Sequence, residues 1–73
     1  MPKRYSSLEI EIVISKLGFV FTNQRGSHKK FKNNKGLTCI LPANKNEIPV
    51  GTFRSILRQI QVSADEFDKF ANN

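Results

Sequence analysis

One stretch carries most of the side chains that could do chemistry: Gln24-Arg25-Gly26-Ser27-His28-Lys29-Lys30-Phe31-Lys32. It holds the only histidine and four of the twelve lysines and arginines. An imidazole ordinarily titrates near neutrality, so His28 can both accept and donate a proton. Arg25, Lys29, Lys30 and Lys32 attract phosphate. Gly26 lets the backbone turn through conformations that other residues avoid. A proton-transfer group inside a phosphate-attracting patch points to chemistry on nucleic acid.

A lone histidine is more often incidental than catalytic, but three features set this one apart. It follows a glycine-bearing turn, it shares its expected face with lysines, and no apolar stripe claims it for a core. Metal binding ranks low, because a catalytic zinc needs about three protein ligands at suitable spacing. Glu9, Glu11, Asp65, Glu66 and Asp68 sit near the two ends and read as helix caps and solvated faces. The single cysteine, Cys39, lies in an apolar run and reads as a buried thiol rather than a nucleophile. The four glycines are scattered and build no nucleotide cradle. No cofactor is expected.

These side chains need elements to position them. Ser6 and Glu9 have capping-box spacing. Ile10, Val13, Ile14 and Leu17 then recur on one helical face, and Gly18 stops the helix. The spacing predicts a helix from Ser6 to Leu17. Phe19 to Asn23 reads as a short strand, Gln24-Arg25-Gly26 as a turn, and Ser27 to Asn33 as a second strand. Asn33-Asn34-Lys35-Gly36 signals a reversal into a third strand, Leu37 to Leu41, ended by Pro42. No crossover separates the strands, so the sheet is antiparallel. Alternation puts Phe31 and Lys29 on one face and His28, Lys30 and Lys32 on the other. The stem of Lys29 is expected to snorkel outward near the strand end.

A second helix starts at Gly51-Thr52, with Thr52 as N-cap and Phe53, Ile56, Leu57 and Ile60 as its apolar stripe. Arg54 and Arg58 are one turn apart on another face, beside a helix start where phosphate could dock. Ser63 and Glu66 form a second capping box, with Val62 and Phe67 at staple spacing, so a short last helix follows. Phe19, Phe21, Phe53, Phe67 and Phe70 are expected in the core, while Tyr5 gives no signal. The order is helix, three strands, helix, short helix. The expected fold is α+β in two layers, with helices on one face of the sheet and the other face open.

The bulk numbers bound the answer. Seventy-three residues make one small domain with room for a core and one shallow site. The net charge is +6, and it is uneven. Between Thr22 and Arg58, eight cations face the one acid Glu47, a local excess of +7. Such asymmetry favours a polyanionic partner. No stretch is long and apolar enough to cross a bilayer, and Met-Pro-Lys-Arg opens no secretory signal, so a cytoplasmic location is expected.

Several segments together resemble the HicA toxin family. They are Gly18-Phe19; Gly26-Ser27-His28 with Phe31 three residues on; Pro42; Pro49-Val50-Gly51-Thr52-Phe53-Arg54-Ser55-Ile56-Leu57; and Ser63 to Phe67. The likeness spans nearly the whole chain, so residues 1–73 read as a single HicA-like domain. The resemblance implies a fold similar to the double-stranded RNA-binding domain. It implies the toxin of a type II toxin–antitoxin system, an mRNA interferase that cleaves RNA without metal and is held inactive by a HicB-like antitoxin. The family's catalytic histidine falls on His28, as general acid/base, and its second glycine motif on Gly51-Thr52. Arg25, Ser27, Lys29, Lys30, Lys32, Thr52, Arg54 and Arg58 are the expected RNA contacts. The antitoxin is expected to cover His28. One departure stands out: many members carry another histidine after the third strand, where this chain has Pro42-Ala43-Asn44. The alternative is a non-catalytic module that grips double-stranded RNA.

Overall fold

The computed structural model describes residues 4–72. Met1 to Lys3 and Asn73, counted above within the one domain, lie outside the described residues. The order is α1 (Ser7–Lys16), β1 (Val20–Arg25), β2 (His28–Lys32), β3 (Thr38–Pro42), α2 (Val50–Ile60) and α3 (Ala64–Ala71). The strands form one antiparallel sheet in the order β1-β2-β3. This is the two-layer α+β arrangement, like that of a double-stranded RNA-binding domain, with the helices on one face.

Local chemistry explains the element ends. Ser6 caps α1 by accepting from the Glu9 N–H, and Glu9 returns a bond to the Ser6 N–H. Ser63 and Glu66 repeat the pattern at α3. At the end of α1, Gly18 takes φ +94°. Its N–H donates to the Ser15 carbonyl, and the Phe19 N–H donates to Ile14. These are the two bonds of a Schellman motif, which turns the chain from α1 into β1. Between β2 and β3, the Asn33 side-chain oxygen accepts from the Lys35 and Leu37 N–H groups, and Gly36 adopts φ +85°.

Some boundaries differ from the sequence reading. β1 runs on through Arg25, so the turn is Gly26-Ser27 rather than Gln24 to Gly26. Of the two turn residues only Gly26 has positive φ, at 55°, as a two-residue II′ hairpin requires of its first position. α2 begins one residue before Gly51, with Pro49 at the cap position and no side-chain capping bond. Thr52 is therefore a first-turn residue, not the N-cap. Proline at this boundary costs nothing, since its missing N–H would be unsatisfied there anyway.

The core lies between the sheet and the helices. Ile10, Val13 and Ile14 of α1, Phe31 of β2, Cys39 and Leu41 of β3, Ile56 and Ile60 of α2, and Phe67 of α3 are all buried. Ile48, in the loop before α2, and Phe19 join them. Tyr5, silent in the sequence, is a hub. Its ring packs on Phe53 and Phe67 with centroids 5.5 and 5.0 Å apart, and its hydroxyl donates to the Asp68 carboxylate. Burial, reinforced by Asp68, pushes the Tyr5 hydroxyl up to about 12. Phe21, expected in the core, instead keeps 49% of its surface exposed and touches Phe31 edge-on. No helix among the described residues is long and apolar enough to cross a membrane.

Two stability measurements follow. Phe67→Ala should cost about 3–5 kcal/mol in chemical denaturation, enough to unfold most of so small a domain. Tyr5→Phe keeps the ring and loses one hydrogen bond, so about 1 kcal/mol is expected. Burial also pushes the Cys39 thiol up to about 11. The unfolded chain releases that proton first, so its stabilising contribution is lost as pH rises from the ordinary thiol range toward that value. The stability gap between wild type and Cys39→Ala should narrow by about 1 kcal/mol between pH 7 and about pH 10.

Candidate functional site

Phe31 fixes the direction of every other side chain on β2. Its ring is buried beneath the helices, so its neighbours in alternation face the other way. His28, Lys30 and Lys32 accordingly lie on the open face. In the ladder, His28 stands opposite Arg25 on one side and Pro42 on the other. Lys30 stands opposite Asn23 and Ile40. Residues directly opposite in an antiparallel pair hold their Cβ atoms about 4.5–5.5 Å apart. Two cross-strand rows therefore sit side by side. Asn23, Arg25, His28, Lys30 and Ile40 line a shallow depression of ≈ 390 Å³. That volume lies in the range of small-ligand sites, about 300–1,000 Å³, although the depression is open.

A β-bulge reconciles this grouping with the pairing of Phe21 and Phe31. β1 pairs Phe21 with Phe31 but Asn23 with Lys30, leaving Thr22 as the extra residue. The Thr22 hydroxyl donates to the Lys30 carbonyl and holds the bulge in place. Strict alternation from Phe21 would send Asn23 and Arg25 to the helix face. The added residue reverses the parity and brings both to the face of His28.

The expected site residues separate into groups. Arg25, His28, Lys30 and Lys32 share the open face. Lys29 does not, and neither does it snorkel to water: its ammonium meets the Glu11 carboxylate of α1 at 3.1 Å. Ser27 is an exposed turn residue whose carbonyl accepts from the Ala43 N–H. Arg54 and Arg58 are exposed on α2, and Thr52 is partly buried in its first turn; none of the three lines the depression. The flank of α2 that meets β3 carries Ser55 and Gln59. Gln59 accepts the outward N–H of Ile40 at 2.7 Å and donates to Ser55. Cys39 is buried on the helix face opposite Phe31, so it is kept from His28. Among the described residues, no three His, Cys, Asp or Glu side chains gather where they could hold a metal ion.

The sequence reading missed Asn23, Ile40 and Gln59. Counting pairs backward from a two-residue turn at Gly26-Ser27 would have put Arg25 against His28 and Asn23 against Lys30. Counting forward from a buried aromatic at 19 or 21 gives the opposite face. That conflict was the available sign of a bulge.

The open face of the sheet is thus basic and carries one imidazole, at the start of the middle strand of a helix–three strands–helix frame. The family model of the HicA toxin of bacterial toxin–antitoxin systems matches residues 8–62. The chain belongs to the HicA toxin family. The matched span takes in nearly all of α1, the whole sheet and α2. No curated protein matches the chain.

The Lys29–Glu11 pair gives a further test. Both side chains are less than one-third exposed. A double-mutant cycle with Lys29→Ala and Glu11→Ala should give a coupling of about 1 kcal/mol, at the upper end for partly exposed pairs. Lys30→Ala, which removes no such partner, should stay within about 0.5 kcal/mol of wild type.

Proposed function

We propose that this HicA-family chain is an endoribonuclease, an mRNA interferase that uses His28 as general acid/base and needs no metal. The observation that supports the reading most is the company His28 keeps. It stands on a solvent-facing sheet surface with Arg25, Lys30 and Lys32, while the acids Glu9, Glu11, Asp65, Glu66 and Asp68 all lie on α1 and α3. Glu47 sits in the loop before α2 and faces Arg4 at 4.0 Å.

The chemistry follows from what RNA has and DNA lacks. His28 takes the proton of a 2′-hydroxyl. The freed oxygen forms a bond to the adjacent phosphorus, and the bond from phosphorus to the 5′-oxygen breaks. The 5′-oxygen leaves with a proton from solvent, giving a 2′,3′-cyclic phosphate and a 5′-hydroxyl. Arg25 and Lys30 supply positive charge where the phosphoryl oxygens gain negative charge. Lys32, Arg54 and Arg58 extend the attraction to neighbouring phosphates. The inhibitory partner in this reading is a HicB-like antitoxin that covers His28 and Lys30 in the cytoplasm.

The charge excess by itself would also serve a module that grips RNA without cutting it. Incubation of RNA with the protein in EDTA separates the two. Wild type should cut and leave cyclic-phosphate ends. Folded His28→Ala should be slower by about 10²–10⁴-fold, the usual contribution of a positioned proton-transfer group. Equal cutting by the variant would remove His28 from the chemistry. Intact RNA with wild type would leave the binding module standing.

A further inference from the structure

The five residues around the depression divide by chemistry. Arg25, Lys30 and His28 address the phosphate and the 2′-hydroxyl, which every ribonucleotide has. Contacts of that kind position a strand but carry no sequence information. Asn23 and Ile40 remain. We propose that Asn23 reads the base edge of one unpaired nucleotide seated in the depression, with Ile40 as the apolar support beneath the base. The proposal deepens the RNA-cleaving reading and rests on it for the nature of the ligand.

Three observations carry it. First, Asn23 is uncommitted where its neighbours are not. The Thr22 hydroxyl holds the bulge, and the Gln24 amide donates to the Gly26 carbonyl at 2.9 Å. The Asn23 amide has no hydrogen-bond partner among the described residues, and the side chain is exposed. Second, the turn register and the bulge together put Asn23 on the face of His28, opposite Lys30. A carboxamide offers both donor and acceptor atoms, as base edges do, whereas Arg25 and Lys30 only donate. Third, Ile40 leaves 39% of its surface exposed and is the one apolar side chain among the five that line the depression, directly opposite Lys30. Its backbone is held from the strand edge by Gln59. Sequence-specific readers of RNA take unpaired bases, rest them on a platform and bond their edges. A base already paired has its reading edge occupied and cannot enter a depression this shallow.

The test is run first on binding, so that it does not depend on cleavage. Four fluorescein-labelled single-stranded oligoribonucleotides, differing in one central base, are titrated against His28→Ala protein by anisotropy. A hairpin that pairs that base is the fifth ligand. The four single strands should spread over about tenfold in affinity, the scale of one well-placed base contact, and the hairpin should bind more weakly than all of them. Asn23→Ala should compress the spread to within about twofold while leaving the salt dependence unchanged. Asn23→Asp, which keeps the shape and loses the donors, should reorder the four bases. Ile40→Thr should weaken all four alike. No spread with His28→Ala protein, a spread untouched by Asn23→Ala, or a hairpin bound as tightly as the single strands would each overturn the proposal.

A cleavage arm separates its failure from that of the nuclease reading. Cut sites of wild type and Asn23→Ala are mapped on one long transcript. The same sites cut with the same base preference would overturn base reading by Asn23 and leave the nuclease intact. No cutting by wild type, together with the expected spread in binding, would reject the nuclease and keep the base reader.

Discussion

The burial of Phe31 decides where everything reactive points. A domain of this size has helices enough for one face of a three-stranded sheet, not two. Whichever side chains of β2 share the parity of Phe31 go into or under the helical layer. Lys29 pays that cost, and Glu11 on α1 meets its charge at 3.1 Å. The alternate residues are left in water, and they are the imidazole and two ammonium groups. The apolar core and the reactive face are thus two readings of one strand. A change that rotated β2 by one residue would bury His28 and expose Phe31 together.

Much of this is legible in the sequence alone. Both capping boxes, the Gly18 stop and the reversal at Asn33 to Gly36 are local signals borne out by local hydrogen bonds, and the stripe of α2 is borne out by its burial. The face of His28 was legible too, because β2 carries a single aromatic between lysines. The misses share a cause: they depend on pairing between elements. The bulge at Thr22 exists only relative to β2. The hub role of Tyr5 needs Phe53 and Phe67, which come from two different helices far along the chain. Phe21 is hydrophobic enough for a core, yet its ring meets Phe31 edge-on from a strand that is exposed along its whole length.

The two sheet edges are handled differently. At β3, Gln59 reaches across from α2 and takes the Ile40 N–H, so side-chain chemistry interrupts the row of free backbone groups. At β1 the interruption is the bulge itself, in a strand whose outer half is Thr22-Asn23-Gln24-Arg25. Polar residues and a kink make a poor template for a further strand. The sheet therefore ends at three strands for reasons written in its side chains.

The bulge has one more implication, for how the surface can vary. Hairpin length and surface identity are uncoupled in β1. Because the turn at Gly26-Ser27 fixes Arg25 against His28 and Asn23 against Lys30, loss of the extra residue at Thr22 would leave Phe21 opposite Phe31 and the side chains shown to solvent unchanged. A deletion, usually regarded as the change a strand tolerates least, would here remove the bulge and keep the contact residues in place. Relatives that lack one residue at this place should therefore still show the same two positions of β1 to the ligand.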